Sequence, residues 1–457
     1  MRALREKTFF ALQRALGSHA QAAYRRLLDQ ETWPRDRFAA WQDAEFQHLA
    51  AAAVQDVPFY RERVAPGTHH DLAAFPIITK SELAGNFTAL MSDAMRTDYE
   101  RGPARGYTWV KVTSGGTTGL PTTVIHDADF RDKDRAARLY ELHLAGFPFG
   151  TPHVRLWGSM HDIQRTRASL QQRVIATLAN ETLLNAFMME DAHLRAYLDL
   201  LHRSRVKHLL TYADAGYQLA RFAWRHGIAV RPLTSIMATG GTLTDAMRTT
   251  MAKVFQCRVH NKYGSRDAGE LACDCDHGSL HVLPHLIIEI VDEQGRPCPP
   301  GVTGRVLVTF LGNPSFPLIR FDITDRAAAS AAPCACGRPF PVLERLEGRA
   351  VDFLVSTRGG FVSPTYIRHL VGVVHGSEKV RRFQLVQEGP VSFTLALQPE
   401  TGVAADTAAT LADPIRRDLL PVLGEDADIT VSVVDRIAET GTGKFQYVIN
   451  RHVRPSP

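Results

Sequence analysis

The chain has 457 residues, of which 45% are hydrophobic and 22% charged, and its formal net charge is +5 at pH 7. This length exceeds one ordinary hydrophobic core and predicts a soluble globular protein of at least two domains. No apolar run approaches the roughly 20 residues of a membrane helix, and Lys and Arg are scattered, so neither a membrane nor a nucleic acid is expected as a partner. Phe9–Leu16 is too short for the apolar region of a secretory signal, which predicts a cytoplasmic protein.

Four segments of different character follow one another along the chain. Residues 1–60 carry apolar residues at helical spacing and predict an N-terminal helical layer. Between residues 107 and 264, β-prone runs alternate with helical patterns, which predicts largely parallel strands with helices between them. Strand-like runs joined by Gly/Pro turns then predict a β-rich subdomain, and the last 110 or so residues predict a small α+β lid. The sequence thus predicts an α/β fold with a large domain, residues 1–347, and a mobile lid, residues 348–457.

One loop concentrates glycines and hydroxyl side chains between two β-prone runs. Its members are Thr113, Ser114, Gly115, Gly116, Thr117, Thr118 and Gly119. Glycines let backbone N–H groups surround a ligand closely, and hydroxyls add donors for anionic oxygens, so the loop suits a polyphosphate. It is not a Walker A loop, because no Gly-Lys-Ser/Thr ends it. A flexible surface turn is the alternative for the loop in isolation.

Four later segments accompany this loop. They are Tyr263–Gly269 (YGSRDAG), Ile319–Asp325 (IRFDITD), Gly348–Asp352 (GRAVD) and Thr440–Lys444 (TGTGK). In this order and at this spacing, the five segments resemble the signature motifs of adenylate-forming enzymes. The likeness is greatest to the phenylacetate–CoA ligase and CapK-like branch, and it spans nearly the whole chain.

The resemblance implies a binding site for ATP built from distant parts of the chain. The residues so implied are Thr113 to Gly119, Gly240, Gly241, Tyr263, Gly264, Asp325 and Arg349. The loop would hold the β- and γ-phosphates, Tyr263 would stack on adenine, and Asp325 would accept hydrogen bonds from both ribose hydroxyls. Arg349 lies where the family has an arginine near the ribose and phosphate.

The resemblance also implies two residues that act on the reacting groups. Asp267 stands where the family has Glu and would ligate Mg²⁺ directly or through water, since Mg²⁺ favours carboxylate and phosphate oxygens. A turn acid that caps the next segment is the alternative. Lys444 matches the catalytic lysine of a C-terminal Gly-rich loop. The chain departs from the family at Leu120, where many relatives have Lys, and at Val351, where a polar hinge residue is usual.

The cysteines indicate a metal more than disulfides. Without a signal peptide a disulfide framework is unexpected, and paired short spacings favour a metal. Many CapK-like relatives have a cysteine, then Leu-His-Val, then Cys-x-Cys-Gly-Arg, and the positions that match are Cys275, His281, Cys334 and Cys336. Three thiolates and one imidazole make a closed tetrahedral set, which predicts structural Zn²⁺. Cys273 or His277 could replace one of these ligands, and unmetallated reduced thiols are the alternative.

The expected function is ATP-dependent activation of a carboxylic acid as an acyl-adenylate, followed by transfer to a thiol. Coenzyme A is the expected thiol, and by resemblance the acid is aromatic. Transfer to an amine or a carrier protein, or adenylylation alone, is the alternative among enzymes. A nucleotide-binding protein without catalysis is the alternative outside enzymes. A homodimer is compatible with the sequence.

Overall fold

The structure is a computed structural model, and not all residues are described in it. The described residues are 1–104, 106–113, 122–157, 170–186, 189, 191–349, 354–358, 361–362, 367, 370–371, 375, 379–437 and 445–452. None of the helices within these ranges is long and apolar enough to cross a membrane.

The N-terminal part is helical, as the apolar spacing predicts. Its helices are α1 (Arg2–Ala15), α2 (Ala20–Gln30), α3 (Arg35–Asp56), α4 (Pro58–Arg63), α5 (Lys80–Gly85) and α6 (Asp93–Glu100), with a 3₁₀ turn at Leu72–Ala74. Helix α5 begins at a capping box, in which the Thr79 hydroxyl accepts from the Glu82 N–H at 3.2 Å and the Glu82 carboxylate accepts from the Thr79 N–H at 2.8 Å. The buried faces of α2, α3 and α4 join one core with the strands that follow.

A two-stranded hairpin comes next and leads into a long helix. The hairpin consists of β1 (Trp109–Thr113) and β2 (Thr123–Asp127), which are antiparallel, and the helix is α7 (Ala128–Leu144). Asp127 ends β2 and caps α7, since its carboxylate accepts from the Phe130 N–H at 2.9 Å. The hairpin therefore holds the two ends of the predicted phosphate loop at a fixed place beside α7.

Eleven of the described strands form one large sheet in the order β10-β11-β12-β13-β9-β8-β7-β6-β5-β3-β4. Its strands are β3 (His153–Trp157), β4 (Glu181–Asn185), β5 (His208–Tyr212), β6 (Ser235–Thr239), β7 (Arg258–Ser265), β8 (Gly269–Asp274), β9 (Leu280–Val282), β10 (Leu286–Val291), β11 (Gly304–Phe310), β12 (Phe321–Ala329) and β13 (Val342–Arg349). Strands β4, β3, β5, β6 and β7 are parallel, and the pairs from β7 to β10 are antiparallel.

Helices join the parallel strands, as the alternating pattern predicts. They are α8 (Leu170–Ala179), α9 (Asp191–Arg203), α10 (Ala213–Arg225) and α11 (Asp245–Phe255). All five residues of β6 are buried, in agreement with a central parallel strand covered on both faces. The strands of the predicted β-rich region continue the parallel sheet through β7.

The C-terminal part contains a sheet of its own. Its elements are β14 (Leu354–Val355), β15 (Phe361–Val362), β16 (Val380–Gln387), β17 (Ser392–Pro399), α12 (Ala405–Ala409), α13 (Ala412–Leu423), β18 (Asp428–Val433) and β19 (Val448–Asn450). Four of these strands pair in the order β18-β17-β16-β19. The predicted division between residues 347 and 348 lies inside β13 and stays a prediction.

Candidate active site and metal centre

The carboxyl ends of the parallel strands form the edge at which ligands bind in open α/β sheets. Tyr212 ends β5 and Thr239 ends β6, so the turn at Gly240 and Gly241 lies at this edge. Gly240 has φ +72°, and an added Cβ would lie 2.5 Å from Cδ1 of Tyr212. Only glycine fits here, because the tyrosine ring packs directly on the backbone of the turn.

The predicted phosphate loop begins at this site, although most of it lies outside the described residues. Thr113 is the last residue of β1 and pairs with Thr123, and their hydroxyl oxygens are 3.2 Å apart. Ser114, Gly115, Gly116, Thr117, Thr118 and Gly119 are not described. The Arg266 guanidinium donates to the Thr113 carbonyl at 3.4 Å. The base of the loop thus contacts the segment that carries Tyr263 and Asp267.

Tyr263 and Asp325 lie side by side, although 62 residues separate them in sequence. The Tyr263 hydroxyl donates to the Asp325 carboxylate at 2.7 Å. Asp325 pairs with Arg349 across β12 and β13, so the backbone of the third predicted residue is adjacent. Thr324, just before Asp325, has φ +68°, which is rare and strained for a β-branched residue. Strain of this kind is concentrated at functional sites.

Asp267 is buried, 4% exposed, in the turn between β7 and β8. The carbonyl oxygen of Asp267 is 3.0 Å from Nε2 of His126, a residue of β2. Burial lowers the pKa of His126 to about 4, so the ring is neutral at pH 7 and donates through one N–H. His126 also stacks on Phe130 with ring centroids 3.6 Å apart. The turn of Asp267 is therefore tied to the hairpin that bears the phosphate loop.

A cluster of charges, largely buried except for Arg138, underlies Gly264 and was not predicted. Its members are Asp134, Arg138 and Glu141 of α7, Lys262 of β7 and Glu270 of β8. The Lys262 ammonium pairs with Glu141 and, at 2.5 Å, with Glu270. A Cβ on Gly264 would lie 2.6 Å from the Glu270 carboxylate, which explains the glycine after Tyr263. The spacing of charges at positions 134, 138 and 141, one helical face, was the available signal.

The four predicted metal ligands come together. The ligand atoms of Cys275, His281, Cys334 and Cys336 all lie within 4.8 Å of one another. The sulfurs of Cys275 and Cys334 are 3.7 Å apart, and the Cys336 sulfur is 3.2 Å from Nε2 of His281. A tetrahedron with Zn–S bonds of about 2.3 Å has edges of about 3.8 Å, so the group fits zinc. Among the described residues, this ligand group does not include Cys273 or His277.

The hydrogen bonds around the group are compatible with a bound metal. The N–H groups of His277 and Cys336 donate to the sulfurs of Cys275 and Cys334 at 3.3 and 3.4 Å. Nδ1 of His281 is 3.3 Å from the Phe340 carbonyl, which directs Nε2 to the sulfurs. Burial lowers the pKa of His281 to about 4, so this ring is neutral, as a ligand must be.

Arg338, two residues beyond Cys336, connects the ligand group to the N-terminal helices. The Arg338 guanidinium donates to the Glu31 carboxylate at 2.9 Å. The Tyr140 hydroxyl donates to the same carboxylate at 2.9 Å, and Nε2 of His143 is 3.2 Å from its other oxygen. The segment of Cys334 and Cys336 is thereby joined to α2 and α7.

Two further predicted functional positions are not described either. Lys444 and the hinge position Val351 lie outside the described residues. The segment after Lys444 is described, and the Tyr447 hydroxyl in it donates to the carboxylate of Asp214, in the first turn of α10. Asp214 was not predicted, and its place after an apparent strand was the only signal in the sequence.

Comparisons with known proteins agree with the motifs. The family of CapK C-terminal domains matches residues 354–451. Protein CapK of Staphylococcus aureus is 23% identical over 345 residues, which cover 75% of this chain and 74% of CapK. Phenylacetate-coenzyme A ligase of Thermus thermophilus is 24% identical over 384 residues, 78% of this chain and 79% of the ligase.

The fold is that of a solved CoA ligase. 2-Hydroxyisobutyryl-CoA ligase in the postadenylation state, in complex with R3-HIB-AMP, superposes with a TM-score of 0.68 at 17% identity, over 92% of this chain and 91% of that one. A structure of the same enzyme in the thioesterification state superposes with a TM-score of 0.55, at 18% identity and over 93% and 91%. Residues 354–451 thus match the family of CapK C-terminal domains, and over about three quarters of its length the chain is similar to CapK and to phenylacetate-coenzyme A ligase.

Proposed function

We propose that this protein activates a carboxylic acid with ATP and transfers the acyl group from the resulting acyl-adenylate to a thiol, coenzyme A. The substrate carboxylate attacks the α-phosphorus, the bond from that phosphorus to the bridging oxygen breaks, and pyrophosphate leaves. The thiol then attacks the acyl carbon and AMP leaves. An aromatic acid is the first candidate, because a relative at 24% identity is a phenylacetate-coenzyme A ligase.

The observation that carries this proposal is the hydrogen bond between Tyr263 and Asp325. Adenine and ribose are covalently joined, so a residue that stacks on adenine and one that binds the ribose hydroxyls must be neighbours. The sequence assigns these two roles to residues in separate motifs, and their side chains are 2.7 Å apart. The Gly240 turn and the base of the phosphate loop lie in the same region, at the edge of the sheet where ligands bind.

The residues proposed for catalysis have separate roles in binding the phosphates, binding Mg²⁺ and stabilising developing charge. The loop that starts at Thr113 would bind the β- and γ-phosphates through N–H and hydroxyl groups. Asp267 would hold Mg²⁺, which supplies positive charge to the phosphate oxygens when bound. Lys444 would stabilise the charge that develops on the carboxylate and bridging oxygens during adenylate formation. We assign residues 1–347 to the large domain and residues 348–457 to the lid.

Zinc is proposed as a structural ion. Cys275, His281, Cys334 and Cys336 supply four ligand atoms, which leaves no open position for a substrate. Bound there, zinc would join the turn between β8 and β9 to the segment before β13.

The decisive experiment is a panel of carboxylic acids incubated with the protein, ATP and Mg²⁺, with pyrophosphate release as the readout. Release that depends on one class of acid supports the proposal, and aryl acids are expected to be the best. Binding of ATP without pyrophosphate release for any acid would favour a nucleotide-binding protein without catalysis.

The acceptor is decided by repeating the assay with the best acid. A thioester and stoichiometric AMP with coenzyme A support the proposed ligase. Formation of an amide with an amine, or of an acylated carrier protein, would show that coenzyme A is not the acceptor. The proposed activation of the acid would still be supported. AMP attached to the acid with no transfer would indicate adenylylation alone.

A further inference from the structure

The segment that follows Lys444 is bound on both sides. On the lid side, the Gln384 amide donates to the Gln446 carbonyl at 2.9 Å, and the Leu385 N–H donates to the Tyr447 carbonyl at 2.8 Å. On the other side, the Tyr447 hydroxyl donates to Asp214 of the large domain. Residues 445–447 therefore connect the lid sheet to α10.

Asp214 accepts from three side chains at once. Besides Tyr447, its carboxylate accepts from Gln218 at 2.6 Å and from the Arg382 guanidinium at 3.5 Å. Arg382 also lies over the ring of Phe445, with its guanidinium carbon 4.7 Å from the ring centroid. A carboxylate is suited to this position, because its two oxygens accept several bonds and its charge complements the guanidinium.

Three further ion pairs cross the same interface. Glu400 of the lid pairs with Arg221 at 3.3 Å and with Arg225 at 2.5 Å, both in α10. Arg381 of the lid pairs with Asp191 of α9 at 3.4 Å. Because these pairs do not involve Asp214, the lid keeps other contacts with the large domain when Asp214 is changed.

The contact lies at the rim of the proposed nucleotide site. Asp214 follows Tyr212 by two residues, and the Tyr212 ring packs on Gly240. Lys444 precedes Tyr447 by three residues, and three residues span at most about 11 Å of chain. The contact of Tyr447 with Asp214 therefore holds the lid at this edge of the sheet. The chain superposes better on the postadenylation structure than on the thioesterification structure of the comparison enzyme.

We infer that Asp214 is a positioning residue for the first half-reaction: it binds Tyr447 and Arg382 and thereby holds the lid against the large domain while the adenylate forms. The inference rests on the proposed function for its catalytic consequence. The contact itself is a property of the fold and is measured separately.

The test uses Tyr447→Phe and Asp214→Asn in the full-length protein. Each change keeps the size of the side chain and removes a donor or a charge. The controls are Tyr197→Phe, which removes a tyrosine hydroxyl bonded within the large domain to the Asn185 carbonyl, and Asp199→Asn at an exposed position.

We expect both variants to slow ATP–pyrophosphate exchange about tenfold and to leave KM for ATP nearly unchanged. Thioester formation from chemically prepared acyl-adenylate should stay within about twofold of the wild type. The double variant should lose little more than either single one, since both break the same contact. Equal losses of rate in both half-reactions would indicate general damage to the protein and overturn the positioning role. A wild-type rate of ATP–pyrophosphate exchange in both variants would also overturn it.

Amide hydrogen exchange tests the contact between Asp214 and Tyr447 without an activity assay. Peptides that cover the first turn of α10, near Asp214, should exchange faster in Tyr447→Phe than in the wild type or in Tyr197→Phe. Unchanged exchange there would overturn the contact. If the wild type activates no acid but amide hydrogen exchange near Asp214 increases in Tyr447→Phe, the proposed function is wrong and the contact is confirmed.

Discussion

Asp325 is the single residue whose replacement tests the proposed nucleotide site most directly. Asp325→Ala is expected to raise KM for ATP about 10- to 100-fold, because two ribose hydroxyls without an acceptor in a closed site cost on the order of 1–3 kcal/mol. Asp322→Asn is the control, since Asp322 lies on the same strand but pairs with Arg305 at 2.7 Å. Steady-state kinetics with the best acid gives KM for ATP in both variants. An unchanged KM in Asp325→Ala would remove its ribose-binding role.

Glu31 provides a prediction on stability and pH. Burial would raise the pKa of this carboxyl, but hydrogen bonds from His143, Arg338 and Tyr140 outweigh it and lower the pKa from 4.5 to about 2. A carboxyl with a lowered folded-state pKa stabilises the fold above its unfolded pKa, and this contribution is lost as the pH falls from about 4.5 to about 2. Glu31→Gln should therefore lower the free energy of unfolding at pH 7 by on the order of 1–2 kcal/mol, after allowance for solvent screening.

The measurement is denaturant unfolding of the wild type and Glu31→Gln at several pH values. The difference between them should shrink as the pH falls below about 4.5. Glu100→Gln, at an exposed position, should show no difference at any pH. A difference independent of pH would mean that Glu31 contributes through packing and not through its charge.

Residue types and short spacings were predictable from the sequence, whereas contacts between remote residues were not. Cys334 and Cys336 are two residues apart, so their common orientation to a metal follows from the motif. The contact of Tyr263 with Asp325 depends on the order of strands in the sheet, which local patterns do not determine. Asp214 and Tyr447 are 233 residues apart, and neither belongs to a recognisable motif.

At the scale of elements, the metal group should join two turns of the large sheet. Protein prepared without chelator is expected to contain about one zinc per chain by elemental analysis. Cys334→Ser should lower the zinc content and the melting temperature, with little change of KM for ATP in the folded fraction, because the ion is proposed to be structural. Cys298→Ser is the control, since Cys298 lies outside the ligand group. Wild-type protein without zinc would remove the proposed site.

The charge cluster between α7 and the sheet allows a second prediction at this scale. Three carboxyls face two cations, so one negative charge is left over unless one acid keeps its proton. Burial, followed by the charge of Glu270, raises the pKa of Glu141. Lys262→Met should therefore lower the free energy of unfolding by about 3–5 kcal/mol, as expected for a broken buried pair. If Glu141 is the acid that keeps its proton, Glu141→Gln replaces one neutral side chain by another and should cost less than about 1 kcal/mol by chemical denaturation. Similar losses in the two variants would contradict this assignment of the proton.

The individual strands were more predictable than their assembly into a sheet. Gly304–Phe310 and Ser235–Thr239 follow from β-prone residues and flanking turns. The change of texture after Gly264 predicted a β-rich subdomain but not its place in the sheet, where β7 pairs with a parallel strand on one side and an antiparallel strand on the other. A sequence pattern gives the exposure of each face of a strand and not the identity of both neighbours, so this continuity was not predictable.

At the scale of the whole molecule, the predicted lid has its own four-stranded sheet and packs on α9 and α10 of the large domain. The described contacts between the two parts include the ion pairs of Glu400 and Arg381, and buried apolar residues of both parts belong to one hydrophobic cluster. If one site serves adenylate formation and then thioester formation, the lid must move, and this interface must then open.

Lys444→Ala tests whether the lid acts differently in the two half-reactions. Adenylate formation, measured as ATP–pyrophosphate exchange, should fall about 100- to 1,000-fold, the usual effect of losing one pre-positioned donor to a transition state. Thioester formation from prepared acyl-adenylate should survive, because the lysine is proposed to act only before the lid moves. Lys253→Ala, an exposed lysine of α11, is the matched control and should affect neither reaction. Because the two half-reactions are measured on the same preparation, a folding defect would lower both together. Near wild-type exchange in Lys444→Ala would refute the role of this lysine and, with it, the need for the lid to bring the C-terminal loop to the nucleotide.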